Sequence, residues 1–314
     1  MEAVRQKDNR MKKPYTFNGL LDQYVKEKSL SPATIVTYRS VVKRFTKDTG
    51  IEYLNKVRYE KLLEWRLTIT QRTSDITWNN YLRHMRALWK FAIKKRYVPS
   101  IDHFKDLNWG KYNTSKIKTI TTRQLKKILF FLSDAECNLK PCWFWKTVVQ
   151  FMYLSGVRRL QLVRIQWKDI NFVEKTIHLT ALGEKTDRSR TIPMGTTLEQ
   201  ELTEYKNRLI KDYPLAFKPE AQLFNITILN PHYSGHQMDE NQLSRFFRRL
   251  GNNLDFPISS HRLRHTMATE IAKTGHIKPL QQILGHNDIG TTMNFYVHPD
   301  MDQLRSVINT LSDI

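Results

Sequence analysis

Cysteine, acidic residues and long apolar runs are all scarce in this 314-residue sequence, and each shortage excludes a class of protein. The two cysteines, Cys137 and Cys142, are too few for a disulfide framework or a cysteine-based zinc site, so we expect reduced thiols. No run reaches the roughly 18 apolar residues of a membrane span. The polar, basic N-terminus lacks the apolar stretch of a secretory signal. We therefore expect a cytoplasmic protein that does not associate with a membrane.

Basic residues outnumber acidic ones by 51 to 30, and the formal net charge is +21. Such an excess is larger than solubility requires, and it favours a polyanionic partner such as DNA, RNA or an anionic membrane surface. Because no membrane segment is found, nucleic acid is the favoured partner. A cationic protein without a specific partner is the alternative.

The first third of the chain has the apolar periodicity of four helices. Ser31 and Pro32 provide an N-cap and a first-turn proline for the second helix, and Gly50 provides its stop. The fourth helix runs from about residue 74 to 95. The predicted buried stripes of the four helices are Phe17, Leu20, Leu21, Tyr24 and Val25; Ile35, Tyr38, Val42 and Phe45; Leu62, Leu63, Arg66 and Ile69; and Leu82, Met85, Leu88, Trp89 and Ala92.

A basic ridge lies on the fourth helix, opposite its apolar stripe. Spacings of three and four residues align Arg83, Arg86, Lys90 and Lys94 along one face. A basic face of this kind suits a helix that lies against a phosphate backbone. A solvated cationic face is the alternative interpretation.

The chain is predicted to fold as two domains, mainly α-helical with a small antiparallel β-sheet in the second. Pro99 ends the helical pattern, and the polar, lysine-rich stretch after it indicates a linker. Segments 165–172 and 175–194 alternate like strands around a polar turn. The predicted division is a basic tail (1–13), a helical domain (14–105), a linker (106–120) and a larger α+β domain (121–314).

Four places in the second domain combine polar side chains with tight local context. Arg158 follows a helix that ends at Gly156, and Lys185 stands in the predicted hairpin turn. His261 and Arg264 share a face in the first turns of a helix that we expect Ser260 to cap. The last place contains His286 and Tyr296. Taken singly, these residues are surface charges, a turn lysine and a packing aromatic.

A metal site is not expected. His261 and His265 are spaced to point at one ion, but residue 262 is arginine rather than the glutamate of the zinc-protease pattern. Arg262 and Arg264 would repel a cation. Nor does the set include carboxylates that would hold Mg²⁺.

These six residues have the side-chain chemistry for phosphoryl transfer without a metal. Arginine forks bind phosphate oxygens bidentately and stabilise the charge that builds on them. Tyrosine can be a nucleophile, and its ordinary pKa of about 10 should fall beside positive charge. A lysine or histidine can protonate the leaving oxygen.

The same segments resemble the tyrosine recombinase (phage integrase) family over about residues 14 to 312. The family's first arginine matches Arg158 in SGVRRLQLVRIQWKDI, and its hairpin lysine matches Lys185, five residues before Arg190. Its HxxR motif is similar to His261 and Arg264 in HRLRHT. Its LGH histidine matches His286, and its nucleophile matches Tyr296 in ILGHNDIGTTMNFYVHP.

The resemblance implies a C-shaped, two-domain DNA clamp, with a helical (SAM-like) core-DNA-binding domain and a catalytic domain. Tyr296 would attack the scissile phosphodiester and form a 3′-phosphotyrosine, while Arg158 and Arg264 clamp the nonbridging oxygens and His286 adds a hydrogen bond. Lys185 would be the general acid and His261 the general base. Neither metal nor ATP would be required.

The expected partners are double-stranded DNA at specific recombination sites and three further copies of the chain, which together form a homotetramer on two duplexes. The predicted helix near 300–311 would dock on a neighbouring protomer or pack within its own chain. Accessory DNA-bending or directionality factors are open partners. The expected location is the bacterial cytoplasm, where a bacterial or phage protein would act on the nucleoid.

One position departs from the family pattern. Gln161 stands where the family usually has an acidic residue, three positions after the first arginine. Glutamine can hydrogen-bond but adds no negative charge, so we expect activity with altered site electrostatics. His265, like Gln161, is expected to support the catalytic residues. A type IB topoisomerase and a DNA-binding protein with an inactive site are the alternatives.

Overall fold

The structure is a computed structural model, and it describes residues 15–111, 118–181, 189–214, 217–233, 235–285, 290 and 292–293. Three of the predicted catalytic residues, Lys185, His286 and Tyr296, lie outside the described residues. So do the predicted tail, 1–13, and the predicted helix near 300–311. The chain divides into two compact units, Met1–Ser115 and Lys116–Ile314.

The first unit is helical, as its apolar periodicity predicts. Its helices are α1 (Phe17–Glu27), α2 (Pro32–Thr49), α3 (Tyr59–Arg72) and α4 (Asp75–Lys94). The side-chain oxygens of Thr16, Ser31 and Ser74 cap α1, α2 and α4 by accepting a backbone N–H of the first turn. Helix α2 ends at Gly50, whose φ of 69° lies in the left-handed region.

Aromatic side chains fill the core of this unit. The buried stripe of α3 differs from the predicted one. Helix α3 buries Leu62, Trp65 and Ile69, whereas Leu63, predicted to be buried, is exposed. Trp65 packs edge-on against Phe45, with ring centroids 5.0 Å apart. A tryptophan ring removes more apolar surface from water than a leucine, and this sets the rotation of α3.

The first part of the predicted linker, 106–120, belongs to the helical unit instead. The indole Nε1 of Trp78 donates to the carbonyl of Asn108 at 3.0 Å. The Asn79 side chain donates to the carbonyl of Gly110 and accepts from its N–H, at 3.1 and 2.7 Å. These bonds hold residues 106–110 against α4, and hydrophobic periodicity carries no sign of them.

The second unit is mainly helical with a small sheet, as predicted. Its helices are α5 (Thr122–Ser133), α6 (Cys142–Ser155), α7 (Arg159–Leu162), α8 (Thr196–Asp212), α9 (Ile226–Leu229), α10 (Glu240–Leu254), α11 (Ser260–Lys273) and α12 (Ile277–Leu284). Strands β1 (Ile170–Asn171), β2 (Thr176–Leu179) and β3 (Arg190–Pro193) form an antiparallel sheet in the order β1-β2-β3. Leu179 pairs with Arg190 at the end of the β2–β3 ladder.

Helix α6 runs through the core of the second unit and is apolar on most of its surface. Phe144, Trp145, Val148 and Phe151 are fully buried along it. Trp145 stacks on Phe246 of α10, with ring centroids 4.0 Å apart. This packing holds α6 in the core, and the candidate site begins at the C-terminal end of the helix.

Cys137 and Cys142 form a disulfide, so the expectation of reduced thiols is wrong for this structure. The two cysteines flank the turn between α5 and α6, which brings their Cα atoms to 6.4 Å, within the range that a disulfide spans. Counting cysteines excludes a framework of several bridges but not one local pair. In the part of the chain that the structure describes, no helix is long and apolar enough to cross a membrane.

Candidate active site

The site begins where α6 ends. Gly156 terminates the helix with φ 62°, and Arg158, half-buried, stands one residue before α7. A Cβ on Gly156 would overlap the terminal methyl of Met267 on α11. Glycine at this position therefore allows both the left-handed turn and the close approach of α11.

Helix α11 carries the two other described residues of the predicted set. The cap of this helix is Ser259, whose hydroxyl accepts from the N–H of Arg262, so the predicted cap Ser260 is instead the first helical residue. His261 and Arg264 share the first turns, as their spacing predicts. Arg264 is only 4% exposed, while the ring of His261 reaches the surface.

Arg264 joins three segments of the site. One terminal nitrogen donates to the carbonyl of Gly156, and the other donates to the carbonyl of Leu284 at 2.7 Å. These carbonyls end α6 and α12, two residues before Arg158 and two residues before His286. A guanidinium suits this task because its planar fork donates in two directions at once.

Arg190 also lies at the site, which sequence reasoning missed. Its Nε donates to the carbonyl of Ile283 at 3.2 Å, and a Cβ on Gly285 would overlap its Nη1. Burial, and then the positive charge of Arg158, lower the pKa of Arg190 to about 10. Its position five residues after Lys185 was the available signal.

His261 is held in its neutral form by its surroundings. Partial desolvation lowers its pKa, and so do the positive charges of Arg264, Arg159 and Arg158. The pKa of His265 is lowered by partial burial, then by His261 and Arg264. A neutral imidazole at pH 7 can accept a proton, and the positive charges around it attract an anion.

Gln161 is buried and caps the segment that carries Arg158. Its side-chain oxygen accepts the backbone N–H of Arg158 at 2.8 Å. A carboxylate at this position would accept the same hydrogen bond. The amide therefore keeps this hydrogen bond, but it carries no negative charge and has an NH2 donor in place of the second acceptor oxygen of a carboxylate.

A second basic surface, on α10, was also missed. Arg245, Arg248 and Arg249 are exposed on this helix, and Arg248 lines a cavity of about 670 Å³ that His261 also lines. Arg159 connects α7 to α10 through Glu240, at 2.7 Å, and through the hydroxyl of Ser244, at 2.9 Å. The arginines on either side of the buried Phe246–Phe247 pair were the signal in the sequence.

The residues of the basic ridge on α4 lie in two different environments. Arg83, Lys90 and Lys94 are exposed, as a DNA-contacting face requires. Arg86 instead donates to the carbonyls of Phe104, Lys105 and Leu107, at 2.7–2.9 Å. Its guanidinium also stacks 4.6 Å from the ring centre of Trp109, so its hydrogen bonds go to its own unit.

Of the six predicted catalytic residues, the structure brings together Arg158, His261 and Arg264. Among the described residues, no group of three or more His, Cys, Asp or Glu side chains could hold a metal ion. The rings of His261 and His265 have centroids 6.4 Å apart. The described site is thus a cationic, partly buried cluster suited to an anionic ester of phosphate.

Comparison with known proteins identifies the family. The model of the phage integrase family matches residues 118–303, and the chain belongs to this family. A putative tyrosine recombinase XerC of Pseudomonas syringae is 28% identical over 309 residues, which cover 95% of this chain and 64% of that protein. The tyrosine recombinase XerD of Staphylococcus haemolyticus is 24% identical over 303 residues, covering 92% and 97% of the two chains.

Solved structures share the fold. The Tn1549 transposon integrase, in complex with a circular intermediate DNA, superposes with a TM-score of 0.76 at 22% identity, covering 94% of this chain and 99% of that one. A lambda integrase tetramer bound to a Holliday junction gives 0.73 at 17% identity, covering 94% and 80%. These similarities confirm the predicted fold class, a mainly helical protein with a small antiparallel sheet.

Proposed function

We propose that the chain is a site-specific DNA recombinase that cuts and rejoins strands through a 3′-phosphotyrosine at Tyr296. The observation that carries this proposal is the junction at Arg264, whose hydrogen bonds hold together the segments that bear Arg158 and His261 and the end of α12. The names of the relatives, tyrosine recombinases, support the same activity.

In the proposed reaction, the Tyr296 hydroxyl attacks phosphorus, and the bond to the 5′-oxygen breaks. His261, neutral at pH 7, takes the tyrosine proton. Arg158 and Arg264 stabilise the charge on the nonbridging oxygens, with a hydrogen bond from His286. Lys185 gives a proton to the 5′-oxygen as it leaves. A 5′-hydroxyl of a second duplex then displaces Tyr296, so the covalent bond conserves the energy of the phosphodiester.

DNA would contact both units. On the helical unit, Arg83, Lys90 and Lys94 provide phosphate contacts from α4. On the catalytic unit, the exposed arginines of α10 would provide contacts, since Arg248 lines the same cavity as His261 and an α-helix fits the major groove. Arg86 is left out of this proposal because its hydrogen bonds go to carbonyls of its own unit.

The proposed assembly is a homotetramer on two duplexes, which exchange strands in pairs. The lambda integrase tetramer on a Holliday junction supports it. The proposed location is the bacterial cytoplasm, since the relatives are recombinases of Pseudomonas and Staphylococcus. A role for accessory DNA-bending or directionality factors stays a prediction.

The nucleophile is tested with a nicked suicide duplex, from which the strand beyond the cut diffuses away and traps the adduct. The wild-type chain should give an SDS-resistant protein–DNA adduct, in EDTA as well as in buffer. Tyr296→Phe should bind the duplex equally and give no adduct. An adduct with Tyr296→Phe would show that another residue is the nucleophile.

A second assay separates the two alternative functions. A recombinase joins strands of two duplexes that share its site, whereas a type IB topoisomerase relaxes any supercoiled plasmid. We expect strand exchange on the specific site and no relaxation of an unrelated plasmid. A chain that binds the site and traps no covalent product at all would be a DNA-binding protein with an inactive site.

A further inference from the structure

Two arginines hold consecutive carbonyls at the end of α12. Arg190 of β3 donates from Nε to the carbonyl of Ile283, and Arg264 of α11 donates to the carbonyl of Leu284. The last carbonyls of a helix lack partners within the helix, and cationic side chains near a C-terminus stabilise them. Arg264 is one of the predicted catalytic residues, whereas Arg190 has no part in the reaction proposed above.

We propose that Arg190 is a positioning residue of the strand-cleavage site, which acts by holding segment 283–285 at the point where the chain enters His286. The proposal rests on the proposed function, because His286 is given a role only in that reaction. The contacts that support this role join Arg190 to Ile283 and Gly285. His286 follows Gly285 directly in the chain, so the position of Gly285 sets where the backbone of His286 starts.

Gly285 is shaped for this contact. Its φ of 63° lies in the left-handed region, and the guanidinium of Arg190 fills the space that a Cβ would take. A Cβ at this position would overlap Nη1 of Arg190 and would lie 2.8 Å from its Cζ. Any side chain at position 285 would therefore displace Arg190 or strain the turn.

The charged form of Arg190 is less stable at this position than it would be on the surface. Arg190 is partly buried and close enough to Arg158 for their like charges to repel. Repulsion between two guanidinium groups is relieved when an anion binds beside them. Arg190, which holds segment 283–285, thus interacts electrostatically with Arg158, the arginine that would bind phosphate.

A pair of substrates distinguishes positioning of the His286 segment from an effect on the leaving group. One is the ordinary nicked suicide duplex, and the other has sulfur in place of the 5′-bridging oxygen. In the second, the tyrosine–phosphorus bond forms as the phosphorus–sulfur bond breaks, and sulfur leaves as a thiolate without needing a proton. Lys185→Ala should therefore cleave the sulfur substrate at close to the wild-type rate and the oxygen substrate slowly.

Single-turnover rates at saturating DNA are compared for Arg190→Gln, Arg190→Lys and His286→Ala. We expect both Arg190 variants to slow cleavage of both substrates by about 10- to 100-fold, as a misplacement of about 1 Å would. His286→Ala should show the same pattern, with no rescue by sulfur. Arg208→Gln, which replaces an exposed arginine paired with Asp212 on α8, is the matched control and should cleave at the wild-type rate.

Three results would overturn the proposal while the wild-type chain still forms its adduct. Arg190→Gln could cleave as fast as Arg208→Gln, sulfur could rescue it as it rescues Lys185→Ala, or Arg190→Lys could restore the full rate. The last would mean that charge alone matters. Absence of an adduct with the wild-type chain would instead contradict the proposed function.

Gly285→Ala gives an independent test that does not remove Arg190. We expect it to slow both substrates in the same way, because the new methyl group displaces the guanidinium. In a double-mutant cycle, Gly285→Ala with Arg190→Gln should lose less activity than the product of the two single losses. Losses that multiply would show that the two residues act separately and would contradict the proposal.

Discussion

At Arg264, a single side chain makes hydrogen bonds that a lysine could not. Its two terminal nitrogens donate to carbonyls at the ends of two different helices, α6 and α12. Lysine has three N–H donors on a single nitrogen, so it lacks the two separate nitrogens and the planar fork with which Arg264 reaches both carbonyls. These contacts of Arg264 are thus architectural, and the phosphate-binding role that we propose for it depends on the same geometry.

Gln161 gives a prediction about stability. Gln161→Ala removes the acceptor for the Arg158 N–H, and we expect it to lower the free energy of unfolding by about 1–3 kcal/mol, the cost of an unsatisfied buried group. Gln161→Glu keeps an acceptor and should lose less. Urea unfolding of the full chain measures both variants. Equal losses for the two would contradict the capping role.

His261 gives a prediction about pH. A general base must be neutral, and partial desolvation together with Arg264, Arg159 and Arg158 lowers the pKa of His261 below its ordinary 6.5. Cleavage at subsaturating DNA reports the free protein, so its rate should fall only as the pH drops below 6.5. His261→Gln should remove this acid limb. A limb centred above pH 6.5 in the wild-type profile would contradict the assigned environment.

The candidate site shows what a sequence can reveal about single residues and what it cannot. The relation of His261 to Arg264 follows from helical spacing, because residues three apart share a face. Arg190 in β3 has no such relation to Ile283, which lies 93 residues further along the chain in α12. Its role depends on a tertiary contact, and no local pattern encodes that.

At the scale of elements, apolar periodicity predicts the helices well, and detailed packing decides the rest. Helix α2 has the predicted cap and stop, at Ser31 and Gly50. In α3, Trp65 is buried and Leu63 is exposed, so the larger of the two apolar side chains faces the core. At α11, Ser259 and Ser260 are both good caps, and only the backbone path selects Ser259.

Helix α4 carries one arginine with a structural role, Arg86, and one that we propose to contact DNA, Arg83. Arg86→Ala removes three hydrogen bonds to carbonyls of the 104–107 segment and should lower the free energy of unfolding of its unit by about 2–4 kcal/mol. Arg83→Ala, one turn away and exposed, should change it by less than about 0.5 kcal/mol. Thermal or urea unfolding measures both variants. Equal effects would contradict the division of roles.

For the whole molecule, the charge of +21 predicts binding that weakens steeply with salt. If Arg83, Lys90 and Lys94 each bind a phosphate, the triple alanine variant should bind more weakly on any DNA sequence. Its plot of log affinity against log salt should be shallower by about 3, because each neutralised phosphate adds close to one unit to the slope. Fluorescence anisotropy over a salt series measures the slope. An unchanged slope would remove α4 from the DNA interface.

The division into two units was only partly predictable from composition. The polar stretch after Pro99 indicates a boundary, but residues 106–110 pack on α4 through the side chains of Trp78 and Asn79. The disulfide between Cys137 and Cys142 has the same kind of origin, a turn whose geometry brings two side chains together. Both features depend on the course of the backbone in a loop, which the residue pattern does not determine.

We propose that the cationic cluster at Arg158, His261 and Arg264 serves a tyrosine that bonds covalently to DNA. Mass spectrometry of the peptide linked to a trapped suicide duplex, formed in EDTA, tests this proposal directly. We expect a nucleotide joined through a 3′-phosphate to Tyr296. A nucleotide on any other residue, a link through a 5′-phosphate, or an adduct that requires a divalent metal would contradict it.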